Sequence, residues 1–310
     1  MERILGLHHI TAIASDARRN QEFYTKVLGL RLVKKTVNFD DPGTYHFYFG
    51  NETGAPGTIL TFFPWENIGA GRTGTGMATE IGYSVPEGSL AFWKERFIKA
   101  GITHGEINQR MEEQYLPFQD PDGLNISLIV SKTADDRAPW TTPEIAAQYA
   151  IRGFHSVTLK LRSIKPTATI LTDIFGYRSF QQEGDRTRYI TDAIGNASIV
   201  DLIEAPSEPA GYNAAGTNHH VAFRVKDDTI LMDFREKIAK KGLHITPKID
   251  RDYFFSLYFR EPGGVLFELA TDNPGFTRDE PLNELGKHLK LPQRYESSRA
   301  SIEAVLPRLD

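Results

Sequence analysis

Residues 251–270 read RDYFFSLYFREPGGVLFELA. Tyr253, Phe255, Leu257 and Phe259 alternate with their neighbours, Glu261-Pro262-Gly263-Gly264 carries turn residues, and Val265–Ala270 is apolar at every position but one. Period-two alternation interrupted by a Pro-Gly turn predicts a β-hairpin. The exception is Glu268. A carboxylate in the middle of a buried strand is costly unless a partner compensates its charge. That partner has to come from elsewhere in the chain.

The hairpin has a counterpart: FQDPDGLNISL at 118–128 matches FREPGGVLFEL at 259–269. Strand-like runs followed by helix-like runs recur four times. LGLHHITAIA (5–14) precedes Ala17–Leu28, Thr79–Val85 precedes Ser89–Ala100, Phe154–Leu161 precedes Lys165–Phe175, and His219–Val225 precedes Asp228–Lys241. The first helix shows an apolar stripe of Phe23, Tyr24, Val27 and Leu28 after a Ser15-Asp16 cap. Each helix is closed by a glycine in the position that favours left-handed backbone, at 29, 101, 176 and 242, spaced 72, 75 and 66 residues apart. Self-similarity at that period predicts an α+β chain of four βαβββ modules. Grouping them consecutively gives an N-terminal domain of modules one and two (1–133), a linker (134–152), a C-terminal domain of modules three and four (153–272) and a tail (273–310) with a helix near Tyr295–Leu306.

The 310 residues carry a net charge of -4 with a pI of about 6.2. No basic stripe marks a nucleic-acid partner, and no run of 18 apolar residues marks a membrane span. The strand pattern begins by Ile4, which leaves no room for a signal peptide and predicts a cytoplasmic location. Zero cysteines exclude disulfides, thiolate metal sites and a cysteine nucleophile. The 19 Phe and 12 Tyr suit sheets around an apolar pocket.

Histidine is sparse, nine in all, yet two adjacent pairs open strands, His8-His9 and His219-His220. Successive strand residues face opposite sides of a sheet. Val221, Phe223 and Val225 form a bulky row suited to packing under a helix, which turns His220 to the concave face. The same parity turns His9 inward in module one and Glu268 inward in module four. If modules one and four lie side by side, His9, His220 and Glu268 share a cavity. Two imidazoles and a carboxylate form the facial triad of non-haem Fe(II) oxygenases, with open positions opposite. His155, in FHSVTL of module three, is the alternative first ligand. Module two has Glu80 near the equivalent place and Ser127 where module four has Glu268, and reads as structural.

Tyr258 and Arg251, on the strand before the turn, are candidates to donate a hydrogen bond to a phenolic substrate or stabilise negative charge. His8 and His219 are candidates to orient the ligands or shuttle a proton. The glycine-rich GAGRTGTG at 69–76 lacks the strand–turn–helix context of a phosphate site and reads as a flexible loop.

From Gly6 to Thr271, the modules with LHHITAIA, FYTKVLGLRLVKKT, YHFYFGN and YFREPGGVLFELAT resemble the vicinal oxygen chelate superfamily, whose modules pair into domains with cupped mixed sheets. The doubled LHHIT, NHHVAF and the NPGF tail are similar to its hydroquinone-type ring-cleaving dioxygenases. The resemblance implies an Fe(II) site at His9, His220 and Glu268, a pocket lined by Tyr258 and Arg251, and His8 and His219 close by. Catechol-type members would use His155 instead. It also implies a small aromatic substrate and dioxygen as partners. A possible homo-oligomer and a setting in aromatic compound degradation or detoxification are further expectations with no residue behind them. Two rival readings share the fold: a glyoxalase-like isomerase or lyase using Mn(II), Ni(II) or Zn(II), and a non-catalytic small-aromatic binding or resistance protein. Glyoxalase-like sites take four protein ligands from two modules, and TILTFF at 58–63 offers no carboxylate.

Overall fold

A computed structural model describes residues 3–309. Module one contributes β1 (Leu7–Ala14), β2 (Arg31–Asn38), β3 (Asp41–Gly50) and β4 (Ile59–Pro64). Module two contributes β5 (Met77–Val85), β6 (Asn108–Arg110), β7 (Glu113–Gln119) and β8 (Asn125–Val130). Module three contributes β9 (Gly153–Leu161), β10 (Arg178–Glu183), β11 (Arg186–Ile190) and β12 (Ile199–Glu204). Module four contributes β13 (Thr217–Val225), β14 (Ile249–Asp250), β15 (Phe254–Arg260) and β16 (Leu266–Pro274).

The modules pair as one with four and two with three. One eight-stranded sheet runs β14-β15-β16-β13-β1-β4-β3-β2 and the other runs β10-β11-β12-β9-β5-β8-β7-β6. The boundary between 1–133 and 153–272 is therefore not the boundary between sheets, and the expected grouping of consecutive modules is corrected. The physical reason is edge pairing. The first strand of each module leaves one edge free, and β1 meets β13, not β5, antiparallel at that edge.

Each module lays one helix on its sheet. The four terminating glycines all adopt positive φ, from 64° at Gly29 to 80° at Gly242, so each helix stops where the sequence places its stop. Asp16 caps the first helix, accepting from the Arg19 amide at 2.7 Å. That helix is α-helical over Ala17–Glu22 and continues as a wider π turn over Phe23–Val27; Lys165–Thr169 and Ile170–Ile174 repeat this in module three. The helix-facing rows of the sheets and the helix stripes form one core, in which Phe175 stacks on Phe267 and packs against Phe223.

The matched hairpin turns share a device. Glu261 receives the Gly263 and Val265 amides and the Thr167 hydroxyl at 2.7–2.9 Å. Asp120 receives the Asp122 and Leu124 amides and the Tyr24 hydroxyl at 2.8–3.0 Å. Each turn is thus tied to the helix of a module from the other sheet. Residues 69–76 are not a free loop: Ala70, Arg72 and Thr75 bridge to Ala215, Tyr212 and Ala210 and lace the sheets together. The tail straps back over module one. Buried Lys34 takes Asp279 and Glu280 at 2.6 and 2.5 Å, and the expected terminal helix is Arg299–Val305 after a 3₁₀ turn.

Candidate metal centre

Two rows of residues cross the β1/β13 junction in opposite directions. Tyr258 pairs with Glu268, Glu268 with Ala222, and Ala222 with His9. Tyr48 pairs with Thr61, Thr61 with Thr11, and Thr11 with His220. A local two-fold relation therefore exchanges His9 with His220 and Glu268 with Thr61. This register places His9, His220 and Glu268 together, as strand parity predicts.

His9 Nε2 lies 3.1 Å and His220 Nε2 2.9 Å from the same oxygen, Glu268 Oε2. All three residues are buried, and their ligand atoms fall within 4.8 Å of one another, the one such group among the described residues. Despite these distances, neither His220 Nε2 nor Glu268 Oε2 has a hydrogen-bond partner. Buried polar atoms are rarely left unpaired. Lone pairs converging without a hydrogen between them are what a divalent cation requires, and the N₂O donor set suits Fe(II), Mn(II), Ni(II) or Zn(II). The remaining Glu268 oxygen accepts from Ser256 Oγ.

His8 fixes the tautomer of His9. His8 Nε2 lies 3.1 Å from the Thr271 carbonyl and must donate to it. Burial and the neighbouring His9 hold His8 neutral, so His8 Nδ1 accepts from His9 Nδ1, 2.9 Å away. The lone pair of His9 is then on Nε2, the atom facing Glu268. His219 Nδ1 and His220 Nδ1 repeat the contact at 2.8 Å, and burial beside His220 lowers the His219 pKa to about 3.

His9, His219 and His220 line a cavity of about 440 Å³, walled by Phe254, Tyr48, Phe63 and Trp65. Arg251 and Tyr258 also line it, with Arg251 Nε donating to Tyr258 Oη at 3.2 Å. Arg251 is not on the strand, however. Asp252 has φ 64° and breaks the extended run, so Arg251 sits in the turn between β14 and β15 and reaches Asp40 at the mouth. Burial, with Glu268 nearby, pushes the Tyr258 phenol upward, so it stays protonated. A larger cavity of about 600 Å³ adjoins this one and shares His219, His220 and Leu266 with it.

His155 lies in the other sheet, where its Nε2 meets Glu113 Oε1 at 3.0 Å and its Nδ1 meets Ser156 Oγ at 3.1 Å. By register Ser156, not His155, matches His220, because Ser156 pairs with Gly82 as His220 pairs with Thr11. The alternative first ligand is therefore corrected: one residue of phase puts His155 in the place of His219.

The second sheet also shows what replaces a metal. Asp201 pairs with Thr158 and Arg188, the register of Glu268, and Glu80 takes the place of His9. Module three thus does carry a carboxylate at the Glu268 position, which the repeat comparison overlooked. Arg186 stands between Asp201 and Glu80 at 3.2 and 3.3 Å, and Arg188 forks onto Asp201 at 2.9 and 3.1 Å. Sequence reading also missed His46, Tyr48 and Thr61. The signal was present in YHFYF, where Tyr45, Phe47 and Phe49 take the core face and leave His46 and Tyr48 to the cavity.

The family described as the Glyoxalase/Bleomycin resistance protein/Dioxygenase superfamily matches residues 6–128 and 153–269. MhqO of Bacillus subtilis, provisionally named a ring-cleaving dioxygenase, is 46% identical over 97% of this chain and 96% of its own. A chlorohydroquinone/hydroquinone 1,2-dioxygenase of Sphingobium indicum is 37% identical over 95% of this chain and 94% of its own. A solved Bacillus subtilis structure, provisionally described as a dioxygenase, superposes with a TM-score of 0.96 at 43% identity, covering 100% of this chain and 99% of that one. Maize glyoxalase I shares the fold, with a TM-score of 0.65 at 16% identity over 92% of this chain and 97% of its own. No helix among the described residues is long and apolar enough to cross a membrane. The chain belongs to the glyoxalase/bleomycin resistance protein/dioxygenase superfamily, in its ring-cleaving dioxygenase branch.

Proposed function

We propose that this dioxygenase holds Fe(II) through His9, His220 and Glu268 and cleaves a hydroquinone-type aromatic ring with dioxygen. The observation that carries the reading is the convergence of three buried ligand atoms, two of them without hydrogen-bond partners, at an aromatic cavity that His9 and His220 line. The Sphingobium indicum relative, named for chlorohydroquinone and hydroquinone, supports the substrate class. Bound there, Fe(II) would supply the open positions and the one-electron chemistry that the polypeptide lacks.

The chain's own residues do the rest. His8, anchored on the Thr271 carbonyl, fixes which nitrogen of His9 carries the lone pair, and His219 lies against His220 Nδ1. Tyr258 accepts from Arg251, so its hydrogen is free to donate to a ring oxygen, and its raised pKa makes it a donor at neutral pH, not a base. Arg251 places fixed positive charge beside that oxygen, which favours a phenolate over a phenol. Phe254 packs against His9 at 4.9 Å between ring centres and gives the substrate ring an apolar face.

Thr61, at the place related to Glu268, leaves three protein ligands and disfavours a four-ligand isomerase site. The test is anaerobic reconstitution with Fe(II), and separately with Mn(II), Ni(II) and Zn(II), followed by oxygen uptake with hydroquinone, chlorohydroquinone and catechol. Uptake with Fe(II) and a para-diol is expected. Absence of uptake with every pair, together with isomerase activity under Ni(II) or Zn(II), would overturn the reading.

A further inference from the structure

The half of the cavity related to Glu268 and Tyr258 by the local two-fold carries a hydrogen-bonded chain of its own. Tyr48 Oη lies 3.0 Å from His46 Nδ1, His46 Nε2 lies 2.9 Å from Thr61 Oγ1, and Thr61 Oγ1 lies 2.8 Å from Thr11 Oγ1. Tyr48, His46 and Thr11 line the cavity, whereas Thr61 is fully buried and does not. The His46 ring is clamped between Tyr48 and Phe63, with centres 4.1 and 4.4 Å away. Both of its nitrogens are engaged, so its orientation is locked.

The hydrogens in this chain can be counted. Burial, reinforced by His9 and His220, keeps His46 neutral with a single N–H. Four groups then own one hydrogen each, and the three internal contacts consume three of them. One hydrogen remains. If Thr11 donates it outward, every contact runs from Tyr48 toward Thr11, and the Tyr48 oxygen is left as an acceptor. If Tyr48 donates it outward, every contact reverses and Thr11 becomes the acceptor. A ligand atom at one end therefore sets the polarity of the other end.

The ends are not equivalent. Thr11 is the cross-strand partner of His220, beside the candidate metal ligands, whereas Tyr48 lies two strands further across the sheet. We propose that Thr11, Thr61, His46 and Tyr48 form a polarity-coupled hydrogen-bond wire that selects the monoanion of a para-dihydroxylated ring. The ring oxyanion at the metal end accepts from Thr11, which commits the Tyr48 oxygen to accept from the remote hydroxyl. An ortho-diol places both oxygens at the metal end and leaves the Tyr48 acceptor without a donor, and an unpaired buried polar group is penalised. The inference rests on the ring-cleavage reading for the nature of the ligand.

The test is equilibrium binding without oxygen, using protein loaded with redox-inert Zn(II) and two phenols of similar acidity, hydroquinone and 4-fluorophenol. The unmodified protein is expected to prefer hydroquinone by about three- to ten-fold, the worth of one hydrogen bond. Tyr48→Phe and Thr61→Val should each bring that ratio close to one while leaving 4-fluorophenol binding within about two-fold. Thr61→Val is the decisive variant, because Thr61 does not line the cavity and can act on the remote hydroxyl only through the wire. A preference that survives Thr61→Val, whether or not Tyr48→Phe removes it, overturns the proposal. Oxygen uptake by the unmodified Fe(II) protein is measured in parallel. Uptake with an unchanged ratio rejects the wire alone; neither uptake nor phenol binding rejects the ring-cleavage reading and the wire with it.

Discussion

Thr61 and Glu268 are related by the two-fold that exchanges β1 with β13: each neighbours, on a parallel strand, the residue that pairs with a candidate ligand histidine. One position carries a hydroxyl, the other a carboxylate. Thr61→Glu would supply a fourth ligand to the same centre. Zn(II) or Fe(II) should then be held more tightly in a chelator challenge, and oxygen uptake should fall because an open position is taken. Uptake unchanged at full metal occupancy would show that Thr61 does not face the ion.

The assignment of the first ligand is separable from folding. His9→Ala should abolish stoichiometric metal binding, measured as metal per chain after desalting, with the secondary structure retained. His155→Ala should leave metal content unchanged and lower stability by about 1–3 kcal/mol, because it removes the side-chain partner of Glu113 Oε1 and leaves the carboxylate to Arg188. Loss of metal in the second variant alone would reverse the assignment.

His8 does not face Glu268, yet it dictates which nitrogen of His9 is free. His8→Phe removes the acceptor for His9 Nδ1–H and lets the imidazole choose the other tautomer. Metal affinity should fall about 10- to 100-fold, the usual cost of losing a group that orients a ligand. A direct Fe(II) titration under anaerobic conditions measures it, and an unchanged affinity would mean that the histidine pair is only packing.

Much of this site was legible from sequence because strand periodicity is a strong constraint. Val221 and Phe223 had to face a helix, so His220 had to face away, and Glu268 followed between Phe267 and Leu269. Module pairing was not legible. Which strand edge meets which depends on complementarity between distant surfaces, and the repeat pattern is compatible with either grouping. Asp201 was hidden for a different reason. In VDLIE it looks like a strand-edge carboxylate, and only the register beside Arg188 and Thr158 shows that it matches Glu268. Arg251 was misplaced because nothing in RDYFF announces a non-glycine residue with positive φ at Asp252.

Asp201 tests how the second sheet manages without a metal. It is fully buried and compensates both Arg186 and Arg188. Asp201→Ala leaves two guanidinium groups short of a counter-charge and should cost about 3–5 kcal/mol. Urea unfolding of the metal-free protein measures this. Metal content of whatever folds should be unchanged, since the other sheet holds the ligands. A loss below about 1 kcal/mol would mean that Glu80 and Glu113 suffice for the two arginines.

Glu113 gives the same region a pH signature. Burial pushes its carboxyl up, but the hydrogen bond from His155 and the ion pair with Arg188 at 2.6 Å outweigh it and hold the pKa at about 2. An unfolded glutamate titrates near about 4.3. The folded chain therefore binds fewer protons than the unfolded chain between these values. The stabilisation is fully present above the unfolded pKa and is lost as pH falls through the folded one. The urea midpoint should decline as pH is lowered from 5 toward 3, and Glu113→Gln should be less stable at pH 7 but show a shallower decline. Parallel slopes for the two proteins would show that Glu113 does not carry the acid sensitivity, and that other buried carboxylates do.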